Sequence, residues 1–522
     1  MEPILIEGTW QQAKASGSFR VQNPGTKADL GVEFPISSWA DCDRILDAAV
    51  AAARVLRGTS GEAIAALLEG YASRIEARAD EIVETAHNET ALPVEPRLRN
   101  VELPRTTTQL RQAAQAARQG SWQQPVIDTK LNIRSCFAGI GPVVVFGPNN
   151  FPFAFNGISG GDFAAAIAAG CPVIAKAHPL HAGTSKLLAE CALEALRASG
   201  LPLATVQMIY NLDPADGLKL VSDARVAATG FTGSRGAGLR LKEAAEKAGR
   251  VIYLELSSLN PIVYLPGAIA ERRAELVTET ADSGLAAAGQ FCTSPNLLFL
   301  VASPDAKLFI EELTAAYASR PSSPLLSAGG LDHLQSSVKS LVSAGASVLT
   351  GAEPKANAAG FCFRNTVLQV SGKDFLTNPG PLQQEAFGNA TMVVLCADTD
   401  ELKQALASLE GNLTAAIYSS KAGADDALYP AVAEILRSRC GRLLNDKMPT
   451  GVALSPAMNH GGPFPSTGHP GFTAVGIPRS IQRFGALECY DGVRHNRLPA
   501  VLQDKAPHEN IWRMVDGAWV KG

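Results

Sequence analysis

From Gly141 to Leu256 the chain alternates short, unbroken apolar runs with longer stretches in which apolar residues recur every three or four positions. The runs Pro142–Gly147, Pro172–Ala177, Val206–Tyr210, Val226–Thr229 and Val251–Glu255 predict strands. Gly161–Ala169, Thr184–Ala198, Asp213–Ser222 and Ser234–Ala248 predict the helices between them. Strands that are apolar on both faces and separated by helices predict an α/β fold with a parallel, doubly wound sheet. Such sheets bind ligands at the carboxyl ends of their strands.

The pattern continues on both sides of this segment. Alanine-rich amphipathic stretches at Ala48–Leu56, Glu62–Ala77 and Leu110–Arg118 predict helices outside the sheet, and Ala268–Ala288 predicts another. A second α/β segment begins near Leu256, with strands predicted at Asn296–Val301, Val367–Val370, Met392–Cys396 and Ala415–Tyr418, and ends around Arg442–Gly451. Asn459–Gly476 is dense in Gly, Pro, Ser and Thr, which predicts a loop over a site or between domains. The polar tail after Arg494 reads as a peripheral extension.

Composition narrows the function classes. A chain of 522 residues, 46% of them hydrophobic, predicts two or three domains. The net charge is −4 with both signs interspersed, so neither nucleic acid nor an anionic membrane is an expected partner. Small molecules and copies of the same chain are. The N-terminus lacks the basic start and apolar core of a signal peptide, and no apolar stretch reaches membrane-spanning length, so a cytoplasmic protein is expected. Nine scattered cysteines without a CxxC pair predict reduced thiols, most of them buried, and neither a disulfide framework nor a metal centre.

Five stretches carry candidate chemistry, each with a plainer reading. "GFTGSRGAG", Gly230–Gly238, runs a predicted strand through a glycine turn into a helix, where backbone N–H groups and the helix dipole suit a pyrophosphate; an ordinary turn with Ser234 as N-cap fits equally. Lys176 ends an apolar strand, facing a ligand crevice or reaching out to water. "GISGG" places Ser159 in a nucleophile-elbow pattern without the strand that motif requires. His178 and His181 are spaced like ligands, yet Pro179 separates them and no acidic or cysteine partner is near. "YLELSSLNP" ends a strand in Glu255, either a general base or a glutamate paired with a distant cation. Beyond these, "AAAGQFCTSPN" sets Cys292 between small residues and a polar turn, where a thiol and its own N–H can both face a substrate, or where the cysteine simply packs in the interior as any one of the nine can.

In order and spacing these stretches resemble the aldehyde dehydrogenase superfamily across nearly the whole chain. The matching segments are "PNNFPF" with Asn150, "VIAKAHP" with Lys176, "GFTGS" with Gly230 and Ser234, "LELSSLNP" with Glu255, "GQFCTSPN" with Cys292 and "QEAFGN" with Glu385 and Phe387. The resemblance implies a cofactor domain (residues 1–120 and 141–256), a catalytic domain (257–458), oligomerisation segments (121–140 and 471–493) and a C-terminal extension (494–522). It implies a dimer or tetramer. It also implies NAD(P)-dependent oxidation of an aldehyde to a carboxylate: Cys292 attacks the carbonyl, Asn150 and the Cys292 N–H hold the oxyanion, and Glu255 activates the water that releases the acid. Lys176 and Glu385 would hold ribose hydroxyls, Ser234 the pyrophosphate and Phe387 the nicotinamide side.

Two departures bear on specificity. "SSL", Ser257–Leu259, follows Glu255 where Gly-Gly-Lys is usual, and "NHGG", Asn459–Gly462, replaces Pro-Phe-Gly-Gly, so the substrate mouth is altered. With "KAHPLHAGTS" and "NDKMPTGVALS" they resemble the branch of α-ketoglutaric semialdehyde (2,5-dioxopentanoate) dehydrogenases and a bacterial NADP-dependent fatty aldehyde dehydrogenase. Pro179 stands where many NAD-preferring members carry a glutamate that repels a 2′-phosphate, so NADP is expected to serve at least as well as NAD. Dioxopentanoate is the expected substrate. A fatty aldehyde lined by Phe151, Phe155 and Phe291 is the alternative, and a serine hydrolase using Ser159 or a non-catalytic relative are remote ones. A CoA-acylating relative would be expected to lack Glu255.

Overall fold

The computed structural model describes residues 1–522, and two seven-stranded sheets dominate it. In the first, β1 (Val143–Phe146), β2 (Val173–Lys176), β3 (Val206–Ile209), β4 (Ala228–Thr232) and β5 (Val251–Glu255) lie in the order β5-β4-β1-β2-β3, all parallel. The chain extends from β1 through β2 to β3 on one side and then adds β4 and β5 on the other. The crevice at this reversal opens at the carboxyl end of β1, the usual ligand position in such sheets. Ile4–Ile6 pairs antiparallel with β3, and Thr9–Gln11 completes that edge. Helix Gly161–Ala168 is buried at every position, which is why its sequence is apolar apart from Asp162, whose carboxylate pairs with Arg483.

The second sheet contains β6 (Ile262–Tyr264), β7 (Leu297–Val301), β8 (Thr366–Ser371), β9 (Ala390–Cys396), β10 (Asn412–Tyr418) and β11 (Cys440–Asn445). Its order is β8-β9-β7-β6-β10-β11, parallel throughout, with Ser347–Thr350 antiparallel on the β8 edge. All seven residues of β10 are buried, a signal the apolar pattern carried. The pattern missed β6, three residues long, and β11, which is half-exposed along most of its length.

A five-stranded sheet stands apart, in the order Gly485–Asp491, Ile133–Gly139, Val126–Asp128, Trp512–Val515, Ala518–Lys521. The tail after Arg494 is therefore not a peripheral extension, because it supplies two strands of this sheet. Arg134 fastens it by donating to the Leu502 carbonyl at 2.5 Å and pairing with Asp504 at 2.7 Å. The missed signal was Asp516-Gly517, which takes φ of 49° and 84° between two short strands, the conformation that Asp-Gly favours in a tight hairpin. Of residues 471–493 only Gly485–Asp491 is strand. No helix is long and apolar enough to cross a membrane.

Candidate active site

Cys292 owes its position to a costly turn. Helix Pro266–Leu285 ends, and Ala287, Ala288 and Gly289 follow with φ of 48°, 54° and 69°. The two alanines each cost roughly 1–2 kcal/mol in the left-handed region. At Gly289 a side chain is excluded outright, since a Cβ would stand 2.1 Å from the Gly388 carbonyl oxygen. Hydrogen bonds then pin the loop: Asn260 Nδ2 donates to the carbonyls of Cys292 and Ser294, both at 2.9 Å, and Gln290 Oε1 accepts from Leu326 N at 3.0 Å. Cys292 is left part-buried. Among the other cysteines seven are buried, whereas Cys489 is exposed on the small sheet and does not serve packing as expected.

Three titratable side chains meet at this loop. Cys292 Sγ lies 3.4 Å from His460 Nε2, which lies 2.8 Å from Glu255 Oε1. Glu255, at the end of β5, and His460 are each 1% exposed, and Glu255 Oε2 has no partner in the chain. The Asn459–Gly476 loop is stitched to β5, with Glu255 bridged to Thr467 and Leu256 N donating to the Ser466 carbonyl at 2.8 Å. This is how an imidazole distant in sequence reaches the thiol. Burial, and then the neighbouring Glu255 carboxylate, hold the Cys292 thiol well above its ordinary range. His460 is the functional residue that sequence reasoning missed. In the sequence "NHGG" marks only an altered mouth, although an imidazole in a glycine-rich loop is the available signal.

Asn150 sits on the loop after β1, buried, with Nδ2 donating to the Gln290 carbonyl at 2.9 Å. That contact holds it against the cysteine loop. The Cys292 N–H makes no hydrogen bond within the chain. Fully buried Glu102 braces the Asn150 loop by accepting from Phe153 N and Ala154 N at 2.9 and 3.0 Å and pairing with Arg97 at 2.5 Å. Glu102→Ala is expected to destabilise the protein by about 3–5 kcal/mol, because it strands a buried guanidinium and two amides. Urea unfolding of the variant against the parent measures this.

The three phenylalanines Phe151, Phe155 and Phe291 come together. Phe151 packs edge-on against Phe155 and Phe291, with centroids 5.1 and 5.4 Å apart, and all three line a cavity with Cys292, Arg97 and Arg105. A separate cavity of about 660 Å³ is lined by Ser234, Ser257, Ser258, Leu259 and Glu385, within the usual range for a cofactor site. Ser234 Oγ caps helix Arg235–Lys247, leaving the helix N-terminus facing that space. Glu385 is raised to about 7 by burial, and Lys176, at the end of β2, is lowered to about 8 by burial. Lys176 makes no ion pair or hydrogen bond within the chain, so its donors remain available to a hydroxyl or phosphate. Phe387, part-buried, lies in the turn two residues on from Glu385. Ser234, the helix N-terminus and Glu385 at this cavity fit a dinucleotide, whereas Lys176 and Phe387 do not line it.

Gly230 does not belong with them. It lies inside β4, where a Cβ would stand 2.5 Å from Asp162 Oδ2, so the glycine serves packing against the buried Asp162–Arg483 pair. Ser159 is no nucleophile elbow either. Its fully buried hydroxyl donates to the Phe153 carbonyl at 2.7 Å. His178 Nδ1 accepts from Leu180 N at 3.2 Å, and His181 Nε2 lies 2.9 Å from the Pro148 carbonyl, which are structural roles for both.

Paired parallel sheets with a thiol, a carboxylate and an amide gathered where they meet define a nucleotide-dependent oxidoreductase fold with a cysteine site. The chain belongs to the aldehyde dehydrogenase family, whose model matches residues 10–436. It is 37% identical to alpha-ketoglutaric semialdehyde dehydrogenase 2 of Azospirillum brasilense, with 98% of each chain covered. It is 33% identical to alpha-ketoglutaric semialdehyde dehydrogenase of Acinetobacter baylyi, with 93% of each covered. Among solved structures, an aldehyde dehydrogenase C mutant of Pseudomonas syringae, complexed with NAD+ and octanal, shares the fold at TM-score 0.80 and 20% identity. That match covers 94% of this chain and 96% of the other.

Proposed function

We propose that this aldehyde dehydrogenase oxidises 2,5-dioxopentanoate to 2-oxoglutarate. The reading is carried by the contact of Cys292 Sγ with His460 Nε2, itself held by Glu255, at the end of a cavity that contains arginines. The two relatives of that name support the choice of substrate.

His460 Nε2 takes the Cys292 proton as it passes its own to Glu255 Oε1, so the net transfer runs from the thiol to the carboxylate, which releases that proton to solvent before the hydrolytic step. The thiolate adds to the aldehyde carbon. The oxyanion of the thiohemiacetal accepts from Asn150 Nδ2, turned from the Gln290 carbonyl, and from the Cys292 N–H. Lys176 and Glu385 would hold the cofactor's ribose hydroxyls, Ser234 its pyrophosphate, and Phe387 the nicotinamide side. When bound, the cofactor supplies the electron-pair acceptor that turns thiohemiacetal into thioester. Glu255 then takes a proton from water, which attacks the thioester and releases the acid. The proton taken by Glu255 then returns through His460 Nε2 to the departing Cys292 sulfur.

NADP serves at least as well as NAD, because Pro179 brings no negative charge near the ribose site. The small sheet mediates a homodimer or homotetramer, supported by the exposed Leu487, Trp512 and Trp519. The protein works in the cytoplasm. The purified enzyme assayed on a panel of aldehydes, with each cofactor and with or without CoA, tests these readings. The expected result is highest kcat/KM on dioxopentanoate, no dependence on CoA, and an NADP-to-NAD ratio of one or more. A strong preference for long-chain aldehydes would reverse the substrate assignment.

A further inference from the structure

Two arginines line the cavity that reaches Cys292, and their surroundings differ. Arg97 is neutralised by Glu102 at 2.5 Å, donates to the Asn150 carbonyl at 3.1 Å and stacks 4.4 Å from the Phe151 ring centroid. Arg105 has no carboxylate partner. Its Nη1 donates to the Val452 carbonyl, while Nε and Nη2 are buried without any acceptor. The lining groups Arg97, Arg105 and Glu102 thus leave one uncompensated positive charge at the cavity.

The position of that charge relative to the thiol is also fixed. The Arg105 guanidinium carbon lies 5.5 Å from the Phe155 centroid, and the Phe155 ring lies 5.5 Å from the ring of His460, which contacts Cys292 Sγ. One phenyl ring therefore links the free guanidinium to the reacting pair. Arg442, the other arginine near the thiol, donates to the Pro449 and Gly451 carbonyls at 2.7 and 3.3 Å and does not line this cavity. Burial lowers Arg105 to about 10, which leaves it cationic at neutral pH. Two adjacent N–H groups, Nε and Nη2, form the edge of a guanidinium that meets a carboxylate with two parallel hydrogen bonds. Leaving both unmade in a buried place is unfavourable, and an alkyl chain would not relieve it.

We propose that Arg105 binds the terminal carboxylate of a short ω-oxo acid whose aldehyde carbon lies against Cys292 Sγ. The assignment rests on the semialdehyde reading of the substrate, and it makes Arg105 the residue that separates oxo acids from plain aldehydes of equal length. Arg97, already paired, orders the loop.

The test compares 5-oxopentanoate with pentanal, which share a chain length and differ in the carboxylate, on the intact enzyme and on Arg105→Met and Arg105→Lys. Selectivity, the ratio of the two kcat/KM values, is independent of how much of a variant is folded. In the parent it favours the oxo acid. In Arg105→Met it is expected to fall about 100-fold, mostly through KM for the oxo acid, the size expected for a lost charge-assisted hydrogen-bond pair. Arg105→Lys, which keeps the charge without the fork, is expected to retain an intermediate ratio. Competitive inhibition by glutarate should weaken in parallel. A parent without preference for the oxo acid overturns the semialdehyde reading and this proposal with it. A parent that prefers the oxo acid while Arg105→Met keeps the same ratio overturns the Arg105 assignment alone, and would reduce Arg105 to a brace for the Val452 carbonyl.

Discussion

Cys292→Ala is expected to lower aldehyde oxidation by at least about 10⁴-fold, with either nicotinamide cofactor and with every aldehyde the parent accepts. Without the sulfur no covalent adduct forms, and nothing else at the site can replace it. Ser294 Oγ accepts from Phe291 N within the loop, and the nearby hydroxyl of Thr293 accepts from Gly451 N at 3.2 Å. The thiol's one side-chain contact is with His460, so the alanine variant should melt close to the parent. Steady-state rates with a thermal melt on the same preparation check both halves. Full activity in the alanine variant would place the nucleophile elsewhere.

His460→Gln is expected to slow Cys292 alkylation by iodoacetamide about 100-fold at neutral pH, and to lower turnover by a similar factor. Glutamine can still donate to Glu255 but cannot take the thiol proton. The direction of the pH dependence follows from the thiol. With His460 in place, burial and the Glu255 carboxylate already hold its pKa well above the ordinary range, so reaction at neutral pH depends on a proton acceptor at the site, and without the imidazole the thiolate forms only as the solution becomes strongly alkaline. The variant's deficit should therefore be largest at neutral pH and shrink as the solution becomes alkaline, where the two rates should converge. Parallel profiles for the two proteins would show that His460 only fills space beside the thiol.

These two residues differ in how visible they were beforehand. Cys292 stood out because small residues precede it and a polar turn follows, features that belong to a few consecutive positions. Lys176, Ser234 and Glu255 carried a local signal of the same kind, each at the end of an apolar strand or at a helix start, where a ligand crevice and a plainer structural role were both open, and Asn150 came only from the family resemblance. His460 gave no such local signal. It reaches Cys292 across 168 positions because Thr467 and Ser466 pair with the end of β5, a contact between a loop and a strand that no periodicity encodes. Gly230 shows the opposite error, since its motif resembled a phosphate turn while its missing side chain makes room for Asp162.

The sequence by itself determined the alternation of strands and helices, hence the parallel sheet and the crevice at its carboxyl ends, because burial on both faces requires unbroken apolar runs. It also determined which local turns offer a thiol and a carboxylate. Only the tertiary structure decided that the tail closes the small sheet, that an imidazole stands between Cys292 and Glu255, and that Arg105 is left without a counter-ion where Arg97 has one. Pairing partners of charged and titratable groups are set by distances between segments far apart in the chain, and those distances exist only once the sheets have packed.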